Sequence, residues 1–146
     1  MRRAAIALVA VAALAGCGGG GSPPQDGLHS TDALMIRDWL MSVEHGDYGR
    51  AATFFAPGAI IDQGRPFRLP NAAAARLFNK TLPCHADLIA LKEEASAKVL
   101  ATFRLRAGPG GPCQGQVKVR YTIKDGKFKE WRQLDTGAPE PEGPVV

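Results

Sequence analysis

The sequence predicts an α+β domain in which three helices pack on a mainly antiparallel sheet. Helical patterns occupy residues 31–55 and 72–82, and residues 84–134 contain four segments with the alternation of strands. Turn residues separate these segments, so each strand can fold back on the one before it. The strands are apolar on one face only, and that face needs a helical layer to cover it.

The first helix begins near Ser30, Thr31 and Asp32, all of which are common N-cap residues. Charged residues such as Asp38 and Glu44 fall mostly on its polar side. One apolar stripe recurs with helical period and consists of Met35, Ile36, Trp39, Leu40 and Val43.

A second, shorter helix follows a tight turn. Gly46 can adopt the left-handed conformation that ends a helix, and Asp47 caps the next one. Pro57 and Gly58 then turn the chain into a short buried strand at 59–61. The apolar face of the second helix is predicted to consist of Tyr48, Ala51, Ala52 and Phe55.

A short strand and a third helix come next. Gly64 and Pro66 mark a turn before a strand or hairpin arm that ends at Leu69. Asn71 caps the third helix, residues 72–82. The inward side of this helix is predicted to consist of Ala74, Leu77 and Phe78.

Four strands complete the domain. Residues 98–107 and 116–123 show the clearest alternation of apolar and polar side chains, whereas residues 84–92 alternate weakly. Residues 127–134 follow an Asp-Gly dipeptide at 125–126, which is a strong hairpin signal. This order predicts a meander in which each strand pairs with the next.

Residues 1–16 have the pattern of an export signal. Two arginines follow the first methionine, and the apolar segment 4–13 is too short to cross a bilayer as a helix. The sequence Leu-Ala-Gly-Cys at 14–17 resembles the bacterial lipobox. This resemblance implies cleavage before Cys17, lipidation of Cys17 and anchoring to the bacterial cell membrane outside the cytoplasm. An ordinary secretory signal is the alternative.

The remaining regions follow from composition. Residues 17–27 are rich in Gly, Ser and Pro and are predicted to form a flexible tether, and residues 135–146 a disordered tail. Residues 28–134 then form one domain. Without residues 1–16 the chain has sixteen basic and fourteen acidic side chains and no basic cluster, which argues against nucleic-acid binding. The sequence contains no motif for a phosphate, a metal or a nucleophile elbow, so no cofactor is predicted.

Cys84 and Cys113 are expected to form a disulfide, because the domain would lie outside the reducing cytoplasm. In the predicted meander both fall at the same end of the sheet, within bridging range. A metal pair or a catalytic thiol is the alternative. A zinc site needs about four ligands, and only His85 lies near either cysteine in sequence.

The order of elements and three short motifs resemble the NTF2-like superfamily, in particular its SnoaL-like branch. The motifs are EHGDY at 44–48, FFAPGA at 54–59 and DGKFKEW at 125–131. The resemblance covers most of residues 28–134. It implies a cone in which a curved sheet wraps a pocket closed by the helices, and it makes a homodimer an expectation.

The superfamily includes ketosteroid isomerases and polyketide cyclases, which need a carboxylate base and acidic donors to an oxyanion. On the isomerase pattern the base position falls at Gln63, the tyrosine position at Trp39 and the carboxylic acid position at Val119. None of the three groups is retained. A shift of one residue would bring Asp62 into the base position.

Asp62, His85 and Asp87 are the candidate catalytic residues. Asp62 could act as a general base or cap the turn that follows it. His85 and Asp87 share one face of the predicted strand, where they could form an acid-base pair or lie in solvent. Arg104 and Arg106 could bind an anion or belong to a charged outer face.

Five aromatic side chains could line an apolar pocket or form a filled core: Trp39, Phe55, Phe103, Tyr121 and Trp131. We therefore expect a lipid-anchored, non-catalytic domain that binds a small apolar ligand or docks to an envelope partner through the open sheet face. One alternative is an isomerase, cyclase or hydrolase that uses Asp62, or His85 with Asp87. Another is a structural dimer with a solid cone.

Overall fold

The computed structural model describes residues 27–134, which form a six-stranded sheet with three helices packed on it. The predictions for the signal peptide, Cys17, the tether up to residue 26 and the tail lie outside these residues. The helices are α1 (Thr31–Glu44), α2 (Tyr48–Ala52) and α3 (Ala72–Thr81). The strands are β1 (Phe55–Asp62), β2 (Pro66–Leu69), β3 (His85–Glu94), β4 (Lys98–Arg106), β5 (Gln116–Lys124) and β6 (Lys127–Leu134).

The strand order across the sheet is β2-β1-β6-β5-β4-β3. β1 pairs with β6 in parallel, and every other pair is antiparallel. The register shifts once within the β1–β6, β3–β4 and β5–β6 ladders, and such bulges bend a sheet. The predicted meander and the predicted α+β class, three helices on a curved and mainly antiparallel sheet, are both confirmed.

The predicted caps are present. Asp47 Oδ1 accepts a hydrogen bond from the Arg50 amide at 3.0 Å, and Asn71 Oδ1 accepts one from the Ala74 amide at 2.9 Å. Ser30 is the N-cap of α1. These side chains bond amides that have no partner within their own helix, so they determine where each helix begins.

A short 3-10 helix, Gly27–His29, precedes α1. Gly27, the last residue of the predicted tether, packs closely on β3: a Cβ at this position would lie 2.6 Å from the Leu91 carbonyl oxygen. The ordered domain therefore includes this glycine. Among residues 27–134, the structure contains no helix with the length and hydropathy that crossing a bilayer requires.

β1 is longer than the sequence predicts. It starts at Phe55, which the sequence places in the second helix, rather than at residues 59–61. Phe55 pairs with Phe128 of β6, and this pairing extends the strand. Gly58 has a φ of 77° and lies where the β1–β6 register shifts. Pro57 and Gly58 therefore belong to a bulge inside the strand and not to a turn before it.

The buried side of α3 also differs from the prediction. Leu77, expected to face inward, is 63% exposed, and Ala74 is only partly buried. The buried residues are Ala75, Phe78 and Asn79. Phe78 is buried as predicted, and Ala74 packs against the core. An apolar pattern does not count an asparagine as a core residue, so the sequence misses Asn79 and wrongly includes Leu77.

An aromatic cluster joins the helices to the centre of the sheet. Trp39 of α1 meets the rings of Phe55, Tyr121 and Phe128 edge-on, with centroids between 5.8 and 6.4 Å apart. Phe78 of α3 packs edge-on against Phe55 at 5.7 Å. Edge-to-face contacts of this kind add to the free energy of burial. They hold α1 and α3 over the same part of the sheet.

Candidate functional site

A cavity of about 370 Å³ lies between α1 and the sheet. Small-molecule sites usually measure about 300–1,000 Å³, so this cavity falls in the lower part of the range. α1 contributes Trp39, Leu40 and Val43 to its wall, and the segment before β3 contributes Leu82 and Pro83. The wall is therefore mainly apolar on the helical side.

The alternation of β5 provides the opposite wall. Val117, Val119 and Tyr121 are successive residues on the face that lines the cavity. Phe103 of β4 pairs with Val117, and Trp131 of β6 pairs with Tyr121. Alternate side chains of three adjacent strands thus face α1 together, as the period of two in the sequence indicates.

Four of the five predicted ligand-binding residues line the cavity, namely Trp39, Phe103, Tyr121 and Trp131. Phe55 does not. Its ring packs against Trp39, Phe78 and Phe128 in the aromatic cluster, because β1 starts at this residue and turns its side chain into the core. Phe55 is therefore a core residue, and its assignment to the pocket is corrected.

Trp39 is held in place by Asn79, which sequence reasoning missed. The Trp39 Nε1–H donates to Asn79 Oδ1 at 2.7 Å, and Asn79 Nδ2 donates to the Ala75 carbonyl oxygen at 2.7 Å. Both ends of the fully buried amide are thus satisfied, as burial of a polar group requires. The available signal was the position of Asn79, four residues after Ala75 and adjacent to Phe78 in α3.

Tyr121 and Trp131 are the buried polar side chains of the sheet wall. Within residues 27–134, neither Tyr121 Oη nor Trp131 Nε1 has a hydrogen-bond partner. Burial raises the pKa of the Tyr121 phenol far above its ordinary value, and the nearby Trp131 N–H partly opposes this rise. The Tyr121 phenol therefore stays neutral near neutral pH.

The polar lining residues come from the ends of the elements. The C-terminal ends of β1 and β6 lie at the same end of the sheet as the N-terminal ends of β3 and β5. We call this polar set the rim; it consists of Glu44, Gln63, His85, Gln116 and Gln133.

A charged cluster surrounds Arg106 at the rim. Its Nε donates to both carboxylate oxygens of Asp87 at 3.0 Å, and its Nη2 donates to Glu44 Oε2 at 3.0 Å. The hydrogen bond from Arg106 lowers the pKa of Glu44, and the bonds to Glu44 and Asp87 raise the pKa of Arg106. His85 Nδ1 lies 3.9 Å from Glu44 Oε1.

His85 and Asp87, the two residues of the candidate acid-base pair, therefore have different roles. His85 lines the cavity, whereas Asp87 lies outside it and binds Arg106. The acidic side chain nearest to His85 at the cavity is Glu44, which the sequence places on the polar side of α1. The missed signal is that Glu44 follows Leu40 by four residues and Val43 by one, and both of these line the cavity.

Asp62 lies outside the cavity. Its Oδ1 accepts a hydrogen bond from the Gly64 amide at 3.0 Å, and its Oδ2 lies 3.8 Å from Arg132 Nε. Asp62 pairs with Arg132 across the sheet, whereas Ile61 pairs with Trp131 on the side of the cavity. Asp62 thus caps the turn, the second of its two predicted roles, and Gln63 contributes to the rim instead.

The predicted disulfide between Cys84 and Cys113 is confirmed, with Cα atoms 5.9 Å apart. It supports the part of the cavity wall formed by residues 82–86. The β4–β5 loop packs directly behind this wall: a Cβ at Gly108 would lie 2.7 Å from the Pro83 carbonyl oxygen. In the part of the chain that the structure describes, no three His, Cys, Asp or Glu side chains are placed to hold a metal ion.

No protein-family model and no curated protein sequence matches this chain. Solved structures do match. An NTF2-like protein of unknown function from Cytophaga hutchinsonii has a TM-score of 0.56 at 6% identity, covering 68% of this chain and 85% of its own. A protein of unknown function with a cystatin-like fold from Methylobium petroleophilum has a TM-score of 0.58 at 19% identity, covering 77% and 80%.

A candidate polyketide cyclase from Sinorhizobium meliloti has a TM-score of 0.53 at 18% identity and covers 69% of this chain and 94% of its own. At such identities the likeness extends to the fold alone. The described domain therefore has the NTF2-like fold that its sequence motifs predict.

Proposed function

We propose that this protein binds a small, largely apolar molecule in the cavity between α1 and the sheet and does not transform it. The observation that carries this proposal is a cavity of about 370 Å³ with four aromatic side chains in its wall. An apolar cavity of about 150 Å³ can hold benzene, so there is room here for roughly two fused rings.

The residues at the isomerase positions support a non-catalytic role. Gln63, Trp39 and Val119 all line the cavity, and none of them can act as a general acid or base near neutral pH. Glu44 is engaged by Arg106 through one carboxylate oxygen. The residues at the isomerase positions can therefore contact a ligand, but they cannot transfer a proton to or from it.

Filling part of the cavity should weaken binding. We expect Val117→Phe to weaken the affinity for 2-decalol, an alcohol with two fused rings, by about tenfold or more, or about 1.4 kcal/mol. The two tryptophans of the chain, Trp39 and Trp131, both line the cavity, so the change in their fluorescence on titration with the ligand measures the affinity. Lys118→Phe is the matched control, because Lys118 is exposed on the other side of the same strand. Equal affinities of the two variants would contradict the proposed site.

A single observation favours an enzyme as the second candidate: His85 lines the cavity with a carboxylate 3.9 Å away. An imidazole placed in this way can transfer a proton to or from a bound molecule. Mass spectrometry of the recovered probe separates the two functions. Unchanged 2-decalol supports binding, and a product that disappears in His85→Gln would replace the binding proposal by an enzymatic one.

We further propose that the domain acts outside the cytoplasm, anchored through a lipid on Cys17. The support is the lipobox at 14–17 and a disulfide in the domain, which is typical of oxidising compartments. In a bacterial host, Cys17→Ala should abolish incorporation of labelled palmitate. Ser22→Ala, in the same predicted tether, should leave the incorporation unchanged. An unlabelled wild-type protein would refute the anchor.

A further inference from the structure

Two polar atoms face each other at the rim. Glu44 Oε1 and His85 Nδ1 lie 3.9 Å apart, and both residues line the cavity. Glu44 Oε2 is bound by Arg106, but within residues 27–134 no hydrogen bond engages Oε1 or the imidazole of His85. The side chain of Glu44 is 40% exposed and that of His85 is 25% exposed, so a molecule that enters the cavity can reach both atoms.

The separation fits one bridging atom. A distance of 3.9 Å is too long for a direct hydrogen bond, whereas an oxygen placed about 2.8 Å from each atom satisfies both. The elements that carry the two residues are held together. Arg106 of β4 bonds Glu44 at the end of α1, and Cys84, next to His85, is joined to Cys113.

The hydrogen-bonding chemistry of Glu44 and His85 determines which polar group of a ligand they can bind. The hydrogen bond from Arg106 keeps Glu44 ionised, so Oε1 can only accept a hydrogen bond. Two carboxylates, those of Glu44 and Asp87, surround the single guanidinium of Arg106, so the cluster carries excess negative charge and disfavours an anionic ligand. A hydroxyl group can donate to Oε1 while its own oxygen accepts from the imidazole N–H.

We propose that Glu44 and His85 form a subsite for a hydroxyl group, so that the ligand of this cavity is an alcohol with an apolar ring body. This inference rests on the proposed binding function and specifies its ligand class. The ring body lies against Trp39 and Val43 of α1, which line the cavity beside Glu44. The apolar wall determines the size of the ligand, and the pair determines its polar group and its orientation.

The test compares ligands that share one ring body. Tryptophan fluorescence of the wild-type protein is titrated with 2-decalol, 2-methoxydecalin and decalin-2-carboxylate. We expect 2-decalol to bind about tenfold or more tightly than the ether, because the ether cannot donate to an ionised carboxylate. The carboxylate compound should bind most weakly. Equal binding of the alcohol and the ether overturns the subsite and leaves the proposed function standing, whereas no binding of any of the three overturns both.

Variants assign the preference to the pair. Glu44→Gln should reduce the preference for alcohol over ether to about twofold or less, because the amide can donate to the ether oxygen as well as accept from the alcohol. Asp38→Asn, an exposed carboxylate on the same helix and outside the cavity, should keep the full preference. His85→Ala provides a second variant on a different element and should also lower the preference. A full preference in both Glu44→Gln and His85→Ala overturns the subsite.

Discussion

Replacing Trp39 by alanine should lower the free energy of unfolding by about 3–5 kcal/mol, as expected for a large buried aromatic side chain. Trp39 is 3% exposed and contacts Phe55, Tyr121 and Phe128. Its loss also leaves the buried Asn79 Oδ1 without its donor, and an unpaired buried acceptor costs about 1–3 kcal/mol. Urea denaturation followed by far-UV circular dichroism measures the change.

The same helix offers a matched control. Leu34 is also in α1 but is 55% exposed. Leu34→Ala removes apolar volume without opening a cavity, so the free energy of unfolding should change by about 0.5 kcal/mol or less. Similar losses for Leu34→Ala and Trp39→Ala would mean that the aromatic cluster does not hold α1 on the sheet.

Replacing both Cys84 and Cys113 by serine should lower the free energy of unfolding by about 3–4 kcal/mol. The two cysteines are 29 residues apart. In the chain-entropy model, a cross-link closing a loop of about thirty residues destabilises the unfolded state by this amount. The double variant avoids a single unpaired thiol, and thermal or urea unfolding without reductant measures the effect.

Dithiothreitol provides the control for the disulfide. It should lower the midpoint of unfolding of the wild-type protein and leave that of the double serine variant unchanged. The wall formed by residues 82–86 should also loosen, because Cys84 lies within it. Equal midpoints for the oxidised wild type and the double variant would contradict a stabilising cross-link.

The sequence alone predicted the architecture and the four aromatic residues of the cavity wall. The apolar stripe of α1, the alternation of β4 and β5 and the Asp-Gly hairpin before β6 are local patterns, and they correspond to the observed elements. Their order also placed Cys84 and Cys113 at one end of the sheet. These predictions succeed because periodicity determines which side chains share a face, whatever that face packs against.

The tertiary structure decided which of the inward residues line the cavity and which fill the core. Phe55 and Trp131 are both buried aromatic residues in the sequence pattern, yet only Trp131 faces the cavity. Asn79 is polar and was not predicted to be buried, yet it is buried, and Trp39 supplies its hydrogen-bond donor from another helix. Contacts between residues forty positions apart leave no local pattern, so no reading of α3 alone could find them.

At the rim, too, the sequence predicted one part of the site and the tertiary structure decided the other. The sequence identified His85 as a candidate and placed Glu44 on a polar surface. Only the packing of α1 against the start of β3 brings Glu44 within 3.9 Å of His85 and within hydrogen-bond distance of Arg106. Local periodicity is encoded in neighbouring residues, whereas the pairing of charges across elements depends on how those elements dock.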